Sequence, residues 1–218
     1  ITIGDRASTV GGGAIAIGSM AKTSGGNSTT AVGIQSNAKE DGASAFGATA
    51  NATGALATAV GRNSKALAKS ASAFGDSSSA TTWGATALGV GASARADNSI
   101  AVGSAAVTEG RESTALGRRS YAGAQSATAL GTLANASAIV STAVGNDAKA
   151  SAIQASALGN GAEASGGSSM ALGAKARASG SDALASGSNA SASSDNSIAI
   201  GKDSQSSAIN SIAVGQAS

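Results

Sequence analysis

Glycine recurs along this chain with a period of 14 residues, and this period constrains the fold more than any other feature. The recurring residues, called the anchor glycines, occupy positions 4, 18, 33, 47, 61, 75, 89, 103, 117, 131, 145, 159, 173, 187, 201 and 215. Every interval is 14 residues except the one from Gly18 to Gly33, which is 15 because of a small turn insertion near Gly25–Asn27. A repeat of this kind is typical of solenoids, whose units pack on their neighbours.

The positions around each anchor glycine hold nearly constant residue types. The preceding residue is aliphatic or Phe in every repeat except the one with Ser186, and the residue before it is Ala in every repeat except the one with Thr2. The third residue after the glycine is always Ala or Ser, and the fifth is always Ala, Thr or Ser. A position at a fixed distance from the anchor glycine is called a column. A disordered linker has no need to keep the same residue type in a column, so the Gly- and Ser-rich composition does not indicate disorder.

Each repeat predicts two short β-strands. In residues 99–103, Ile100 and Val102 share one face, and the small residues between them share the other. The anchor glycine then permits a turn with positive φ. A second alternation, with Ala92 and Ala94 on one face, predicts the second strand. Coils stacked at about 4.8 Å predict two parallel sheets around a slim interior of small residues, in a rod roughly 70 Å long.

The bulky residues before the anchor glycines are predicted to form an apolar row on the outer face. None of the 14 basic and 12 acidic residues lies within the five positions that end at an anchor glycine. The row exceeds the apolar patch that soluble monomers expose, so identical chains are expected to pack along it. A monomer with thicker coils that enclose the row is the alternative. The predicted interface comprises Ile17, Val32, Phe46, Val60, Phe74, Leu88, Ile100, Val102, Leu116, Leu130, Val144, Leu158, Leu172, Ile198, Ile200, Ile212 and Val214.

Three repeats carry a more specific motif. Residues 98–103, 196–201 and 210–215 read Asn-Ser-Ile-Ala-Val/Ile-Gly, which resembles the Asn-Ser-Val-Ala-Ile-Gly signature of YadA-like heads of trimeric autotransporter adhesins from Gram-negative bacteria. The resemblance covers residues 1–218 and implies one all-β head domain, a left-handed parallel β-roll of two-strand coils. It also implies a homotrimer displayed on the outer membrane at the bacterial cell surface. The chain starts and stops within a repeat, so we expect a head fragment without the neck, the stalk and the membrane anchor needed for secretion.

The resemblance further implies adhesion to host cells or extracellular matrix, with collagen-type ligands as candidates. The family motif associated with collagen binding, Asn-Ser-Val-Ala-Ile-Gly-x-x-Ser, fits residues 196–204 with Ile in place of Val. Residues 210–218 fit with Ile and Val exchanged, whereas most other repeats lack the Asn. The candidate ligand residues from these motifs are Asn196, Ser197, Ile198, Ile200, Gly201, Ser204, Asn210 and Ser211.

A second candidate ligand area contains aromatic and basic residues. Trp83 is the only Trp and is predicted to lie in a turn, where an exposed Trp is a plausible ligand contact. Tyr121 follows Arg118 and Arg119 and is predicted to lie on the outer face. We hypothesise that these four residues contribute to receptor binding.

The composition does not favour an enzyme, because it lacks two residue types that commonly carry catalysis. Without His or Cys there is no Ser-His-Asp triad, no Cys nucleophile and no His metal cluster, so no cofactor or metal is expected. The net charge of +2 predicts no nucleic-acid partner. No apolar run approaches the ~20 residues that span a bilayer, so direct membrane insertion by this segment is not expected.

A structural, ice-binding or self-associating solenoid without a host receptor is the alternative. Ice-binding solenoids generally present paired Thr ranks on a flat face. In this chain the column beside the Thr residues is Val, Leu or Phe. The Thr column comprises Thr30, Thr58, Thr86, Thr114, Thr128 and Thr142.

Overall fold

The chain folds entirely into short strands and turns. The computed structural model describes residues 1–218 and contains no helix. It is a parallel β-solenoid of about 15 coils, so the predicted fold class is confirmed. It divides into two compact units, Ile1–Val107 (unit 1) and Thr108–Ser218 (unit 2), which are built in the same way.

The strands of unit 1 alternate between three-residue strands before the anchor glycines and two-residue strands after them. They are β1 (Thr2–Ile3), β2 (Ile15–Ile17), β3 (Lys22–Thr23), β4 (Thr30–Val32), β5 (Asn37–Ala38), β6 (Ser44–Phe46), β7 (Asn51–Ala52), β8 (Thr58–Val60), β9 (Lys65–Ala66), β10 (Ser72–Phe74), β11 (Ser79–Ala80), β12 (Thr86–Leu88), β13 (Ser93–Ala94) and β14 (Ile100–Val102).

Unit 2 continues the alternation after β15 (Val107–Thr108), which falls at the boundary of the units. Its strands are β16 (Thr114–Leu116), β17 (Tyr121–Ala122), β18 (Thr128–Leu130), β19 (Asn135–Ala136), β20 (Thr142–Val144), β21 (Lys149–Ala150), β22 (Ser156–Leu158), β23 (Glu163–Ala164), β24 (Met170–Leu172), β25 (Arg177–Ala178), β26 (Leu184–Ser186), β27 (Ser191–Ala192), β28 (Ile198–Ile200), β29 (Gln205–Ser206) and β30 (Ile212–Val214).

Each strand pairs in parallel with its counterpart one coil away. In unit 1 the first sheet runs β1-β2-β4-β6-β8-β10-β12-β14 and the second runs from β3 to β13 through the odd-numbered strands. In unit 2 the even strands β16 to β30 form the first sheet and the odd strands β17 to β29 form the second. Partners lie 14 residues apart, as Ala73 with Ala87 and Thr128 with Thr142, except across the 15-residue repeat, where they lie 15 apart. Each column of the sequence is therefore a row on the surface or in the interior.

The interior is a stack of alanines with a few hydroxyl side chains. One cluster of fully buried alanines extends from Ala31 to Ala106 in unit 1, and another from Ala115 to Ala199 in unit 2. Inward serines bond within their own turn, as when Ser64 Oγ donates to Gly61 O at 2.9 Å. The predicted slim interior of small residues is confirmed.

Two tight turns complete each coil. In both turns the backbone N–H of the fourth residue donates to the carbonyl of the first, as from Ala134 to Gly131 at 3.3 Å and from Ser141 to Ala138 at 3.2 Å. The third residue of each turn has a positive φ, which favours Gly and Asn. The two columns of such residues are called the left-handed columns, and they include Leu133 (φ 61°) and Val140 (φ 58°).

The anchor glycine is required by the close approach of consecutive coils. Gly131 has a φ of +136°, and a Cβ added there would lie 2.3 Å from the carbonyl oxygen of Gly145 in the next coil. Both features exclude an L side chain, since the contact is with backbone and cannot move aside. The invariant glycine is therefore explained by stacking as well as by the turn.

The single 15-residue repeat is accommodated at a turn. Asn27 N–H donates to Asp41 Oδ1 at 2.7 Å, and Asn27 Oδ1 accepts from Gly12 N–H at 3.0 Å. These side chains replace part of the regular backbone bonding around the insertion, so the strands on either side keep their pairing.

We predict that Ala192→Leu destabilises unit 2 by about 1–3 kcal/mol or more, because the added atoms must fit between two closely spaced sheets. Ala192 is fully buried, whereas its neighbour Ser191 faces outward and is half-buried. Ser191→Leu is the matched control and should change the unfolding free energy by no more than about 0.5 kcal/mol. Chemical unfolding followed by circular dichroism measures both, and equal losses would contradict the inward assignment.

Candidate functional site

The apolar ladder is the row of bulky apolar residues, from Ile17 to Val214, that immediately precede the anchor glycines on the outer face of the first sheet. Leu88 and Leu116 are each 47% exposed, so the predicted outward orientation is confirmed. Neighbouring members lie in register, as Phe74 with Leu88 and Leu116 with Leu130. The ladder comprises Ile17, Val32, Phe46, Val60, Phe74, Leu88 and Val102 in unit 1, and Leu116, Leu130, Val144, Leu158, Leu172, Ile200 and Val214 in unit 2.

A second row borders the ladder two residues earlier on each strand, and its polarity changes along unit 2. Its first members, Thr114, Thr128, Thr142 and Ser156, carry hydroxyls. The members that follow are apolar: Met170, Leu184, Ile198 and Ile212. The later coils of unit 2 therefore present two bulky apolar side chains each, except where Ser186 interrupts the ladder. Ile100 widens the surface in unit 1 and is exposed.

The motif at residues 196–204 is largely internal. Ser197 is fully buried, and its hydroxyl donates to Ser194 O at 2.6 Å. Ser204 is also fully buried, and its hydroxyl donates to Gly201 O at 2.9 Å. Both hydroxyls thus hydrogen-bond within turns of the coil, and Ala199 between them is also fully buried.

The outward members of the two motifs are isoleucines and asparagines. Ile198 and Ile200 point away from the interior, and Ile200 belongs to the apolar ladder. Asn196 and Asn210 are exposed in turns, with φ of 55° and 57°. Ser211 is half-buried and donates to a backbone carbonyl within its own turn at 2.6 Å. The asparagines suit left-handed positions, so turn geometry already accounts for them.

Trp83 lies in a turn of unit 1 with 52% of its surface exposed. Its carbonyl accepts from Asn98 N–H at 2.9 Å, which fixes the backbone of the turn while leaving the indole ring free to contact a ligand. The predicted turn location is confirmed, and a role in binding stays a prediction.

The other three aromatic and basic candidates lie in unit 2. Arg118 and Arg119 are exposed in a turn, where Arg119 has a φ of 56°. Tyr121 lies on the outer face of the second sheet, and its hydroxyl donates to Glu109 Oε2 at 2.8 Å. Its ring covers Gly123, where an added Cβ would meet ring atoms at 2.5 Å. The Tyr121 side chain is therefore held against the coil, whereas the two arginines extend into solvent.

A polar cleft on unit 2 was missed by the sequence reasoning. It has a volume of about 390 Å³ and lies between a turn and the outer face of the second sheet. It is lined by Asn146, Asp147, Lys149, Asn160, Gly161, Glu163, Lys175 and Arg177. One sequence feature could have indicated the cleft. Lys149, Glu163 and Arg177 alternate in charge along one column, and Gly161 lies nearby in a left-handed column.

Ion pairs across adjacent coils follow the same 14-residue register. In unit 1, Arg62 Nε lies 2.8 Å from Asp76 Oδ1, and hydrogen bonding from the guanidinium lowers the pKa of Asp76 below its ordinary value. Because the pKa of Asp76 is lowered in the folded state, the pair stabilises the fold at pH values above the ordinary carboxyl pKa. This contribution is lost as the pH falls through the folded-state pKa. The pair is solvent-exposed, so its contribution is small.

No described cluster of three or more His, Cys, Asp or Glu side chains is arranged to hold a metal ion. The structure also has no helix of the length and apolarity needed to cross a bilayer.

Stacked 14-residue coils with a small-residue interior and an apolar outer ladder define this chain as a two-sheet parallel β-solenoid. The sequence matches the family described as YadA head domain repeat (2 copies) over residues 10–29, 26–50, 52–81, 84–106, 94–120, 109–134, 136–162, 164–190 and 192–218. These segments cover nearly the whole chain, and the chain belongs to the YadA head family. The predicted family resemblance is confirmed.

Other comparisons are more distant. A comparison with curated protein sequences finds no match. Among solved structures, the crystal structure of the collagen-binding domain of the Yersinia adhesin YadA is similar, with 23% sequence identity and a TM-score of 0.37. The similar region covers 66% of this chain and 65% of that chain, so this chain spans slightly less than two thirds of the length of that domain.

We predict opposite effects for a reciprocal exchange at one left-handed column. Val140→Asn should raise the unfolding free energy by about 1 kcal/mol, because a β-branched residue is strained at positive φ and Asn is not. Asn196→Val should lower it by a similar amount, whereas Asn196→Gly should leave it nearly unchanged. The midpoint of thermal unfolding measures all three.

Val107→Asn is the control for the stabilising exchange. Val107 lies on the outer face of a strand, in a column where Asn37 and Asn51 occur naturally. It does not have a positive φ, so no gain is expected. A gain equal to that of Val140→Asn would contradict the strain argument.

Proposed function

We propose that this chain is the head of an adhesin displayed on the bacterial outer membrane. In this proposal, three copies associate through the apolar ladder, residues 1–218 act as one head domain, and the homotrimer attaches the cell to host cells or extracellular matrix. Family membership supports the proposal, and the exposed, in-register ladder is the observation that carries it. The number three and the left-handed coil stay predictions from the family resemblance.

The energetics of the ladder favour association. Fully burying a Val, Leu, Ile or Phe side chain contributes about 1.5–3 kcal/mol, and several ladder side chains are about half exposed in the single chain. Association costs about 4–15 kcal/mol in lost translational and rotational freedom. With seven ladder residues in each unit, partial burial of the row contributes an amount comparable to or larger than that cost, which favours association.

The proposed interface narrows the choice of ligand-binding residues. Ile198 and Ile200 cannot be covered by a neighbouring chain and also contact a receptor. Ser197 and Ser204 are enclosed in the coil. Receptor contacts are therefore assigned to the turns and to the second sheet, which include Trp83 and the pair Arg118 and Arg119. A collagen-type ligand stays one candidate among matrix proteins.

Ice binding gains no support from the arrangement of the Thr residues. Thr114, Thr128 and Thr142 form a single row beside the apolar ladder rather than one of two Thr rows. The surface that contains them is the one proposed to be covered by neighbouring chains.

We predict that the double variant Leu116→Glu, Leu130→Glu dissociates the trimer, because burying unpaired carboxylates is strongly unfavourable. Light scattering coupled to size-exclusion chromatography should give three times the chain mass of 20.1 kDa for the unmodified chain, and the single-chain mass for the variant.

The control is Ser137→Glu, Ser151→Glu, which adds the same charge at two exposed sites just beyond the ends of second-sheet strands. This variant should remain trimeric. A mass of 20.1 kDa for the unmodified chain at all concentrations would overturn the proposed assembly.

We predict that the trimer binds at least one of immobilised collagen, laminin and fibronectin. The triple variant Trp83→Ala, Arg118→Ala, Arg119→Ala should weaken that binding about tenfold or more, as expected for Trp and Arg contacts at an interface. Lys22→Ala, Lys65→Ala removes the same charge from the second sheet and should have little effect. Unchanged binding by the triple variant would contradict the role of these three residues.

A further inference from the structure

The cleft on unit 2 exists because one side chain is absent from a row. Side chains of one column follow each other at about 4.8 Å along stacked coils. Asp147, Gly161 and Lys175 occupy successive positions of one left-handed column. Gly161 has a φ of +62°, and an added Cβ would meet only Lys175 Cγ, at 3.7 Å. A side chain would fit there, so Gly161 leaves a notch between an acidic and a basic residue.

The charges around the notch leave one cation without an ion pair. Lys149 Nζ lies 3.5 Å from Asp147 Oδ1, and Arg177 Nε lies 3.8 Å from Glu163 Oε2. Both carboxylates of the cleft are therefore engaged by neighbouring cations. Lys175 forms no salt bridge, so the cleft carries an excess of one positive charge and favours a ligand with one negative charge.

Two amides supply directional hydrogen bonds next to this charge. Asn160 Nδ2 donates to Asn146 Oδ1 at 3.3 Å, which orients both side chains. The bond leaves Asn146 Nδ2 as a donor and Asn160 Oδ1 as an acceptor at the cleft. A donor and an acceptor in adjacent coils suit neighbouring hydroxyl groups, each of which can donate and accept.

We propose that this cleft binds a carboxylate-bearing sugar residue of a glycan, with the carboxylate at Lys175 and the ring hydroxyls at Asn146 and Asn160. The volume of about 390 Å³ suits a small ligand. An acidic peptide is disfavoured, because acidic motifs are bound by clusters of arginines, and the one arginine of the cleft, Arg177, is already paired with Glu163.

The site goes beyond the proposed function and is compatible with the proposed trimer. The cleft lies at the outer face of the second sheet, whereas the apolar ladder lies on the outer face of the first. Association through the ladder therefore leaves the cleft open, and a trimer presents three copies. Weak single-site binding would be strengthened by that multiplicity on a surface rich in glycans.

The test is a titration of the whole chain followed by NMR or calorimetry. The probes are 3′-sialyllactose and a glucuronate-containing tetrasaccharide, which represent two sources of a carboxylate-bearing sugar, with lactose as the neutral probe and tetraglutamate as the peptide probe. We expect at least one acidic sugar to bind more tightly than lactose and tetraglutamate. Lys175→Gln should weaken that binding about tenfold, since it removes a charge-assisted contact.

A matched pair of variants tests the notch itself. Gly161→Asn keeps a residue that tolerates positive φ and fills the notch, so it should also weaken binding about tenfold. Gly91→Asn makes the same change in the same column of unit 1, where Gly91 has a φ of +66° and open space around it, and should leave binding unchanged.

The proposal would be overturned if neither acidic sugar bound, if tetraglutamate bound equally well, or if the two Asn substitutions had equal effects. The particle mass of each variant shows whether it is still a trimer. A loss of sugar binding can therefore be distinguished from a loss of the proposed trimer.

Discussion

The close backbone contact between successive coils is the constraint on which the rest of the structure depends. At Gly131 the position of a Cβ is occupied by the carbonyl oxygen of Gly145, 2.3 Å away. Only glycine permits this approach, and the approach repeats at nearly every anchor. A one-residue slip would place a side chain against that carbonyl and would turn inward residues out. The anchor glycines therefore fix the register, and the register converts sequence columns into straight rows of side chains.

A coil this thin leaves few ways to stabilise the fold. Its interior is Ala, Ser and Thr, which bury little apolar surface per residue. Three kinds of hydrogen bond stabilise it. They join the backbones of adjacent coils, inward hydroxyls to their own turns, and side chains of the same row, as from Asn37 Nδ2 to Asn51 Oδ1 at 3.0 Å. The larger aliphatic side chains lie outside, where they stabilise the protein only when something covers them. The proposed lateral association would therefore supply the apolar burial that the thin interior cannot.

The sequence predicted the interior and the outer ladder because both depend on alternation within strands. Ala101 is buried and Ile100 exposed, as their alternation requires. The sequence did not reveal which surface residues meet. Tyr121 reaches Glu109 across 12 residues, and the cleft depends on side chains in three coils around one glycine. The asparagines of the repeat motif suggested ligand contacts, yet their positive φ was hidden because the same column also holds Val140 and Leu56. Rotamers and turn geometry, which composition does not encode, determine these features.

Columns that are constant from coil to coil build the fold, whereas the variable columns are available for ligand recognition. Columns that face the interior, or that approach the next coil, tolerate only Gly, Ala, Ser or Thr, so they cannot distinguish one ligand from another. On the outer face of the first sheet the apolar ladder is nearly constant from coil to coil, which suits contact with identical chains. Variation from coil to coil is concentrated in the turns and on the second sheet, where Trp83, Arg118 and Lys175 occur. Specificity for the proposed ligands is expected in those columns, because they differ in charge and shape from one coil to the next and the proposed assembly leaves them uncovered.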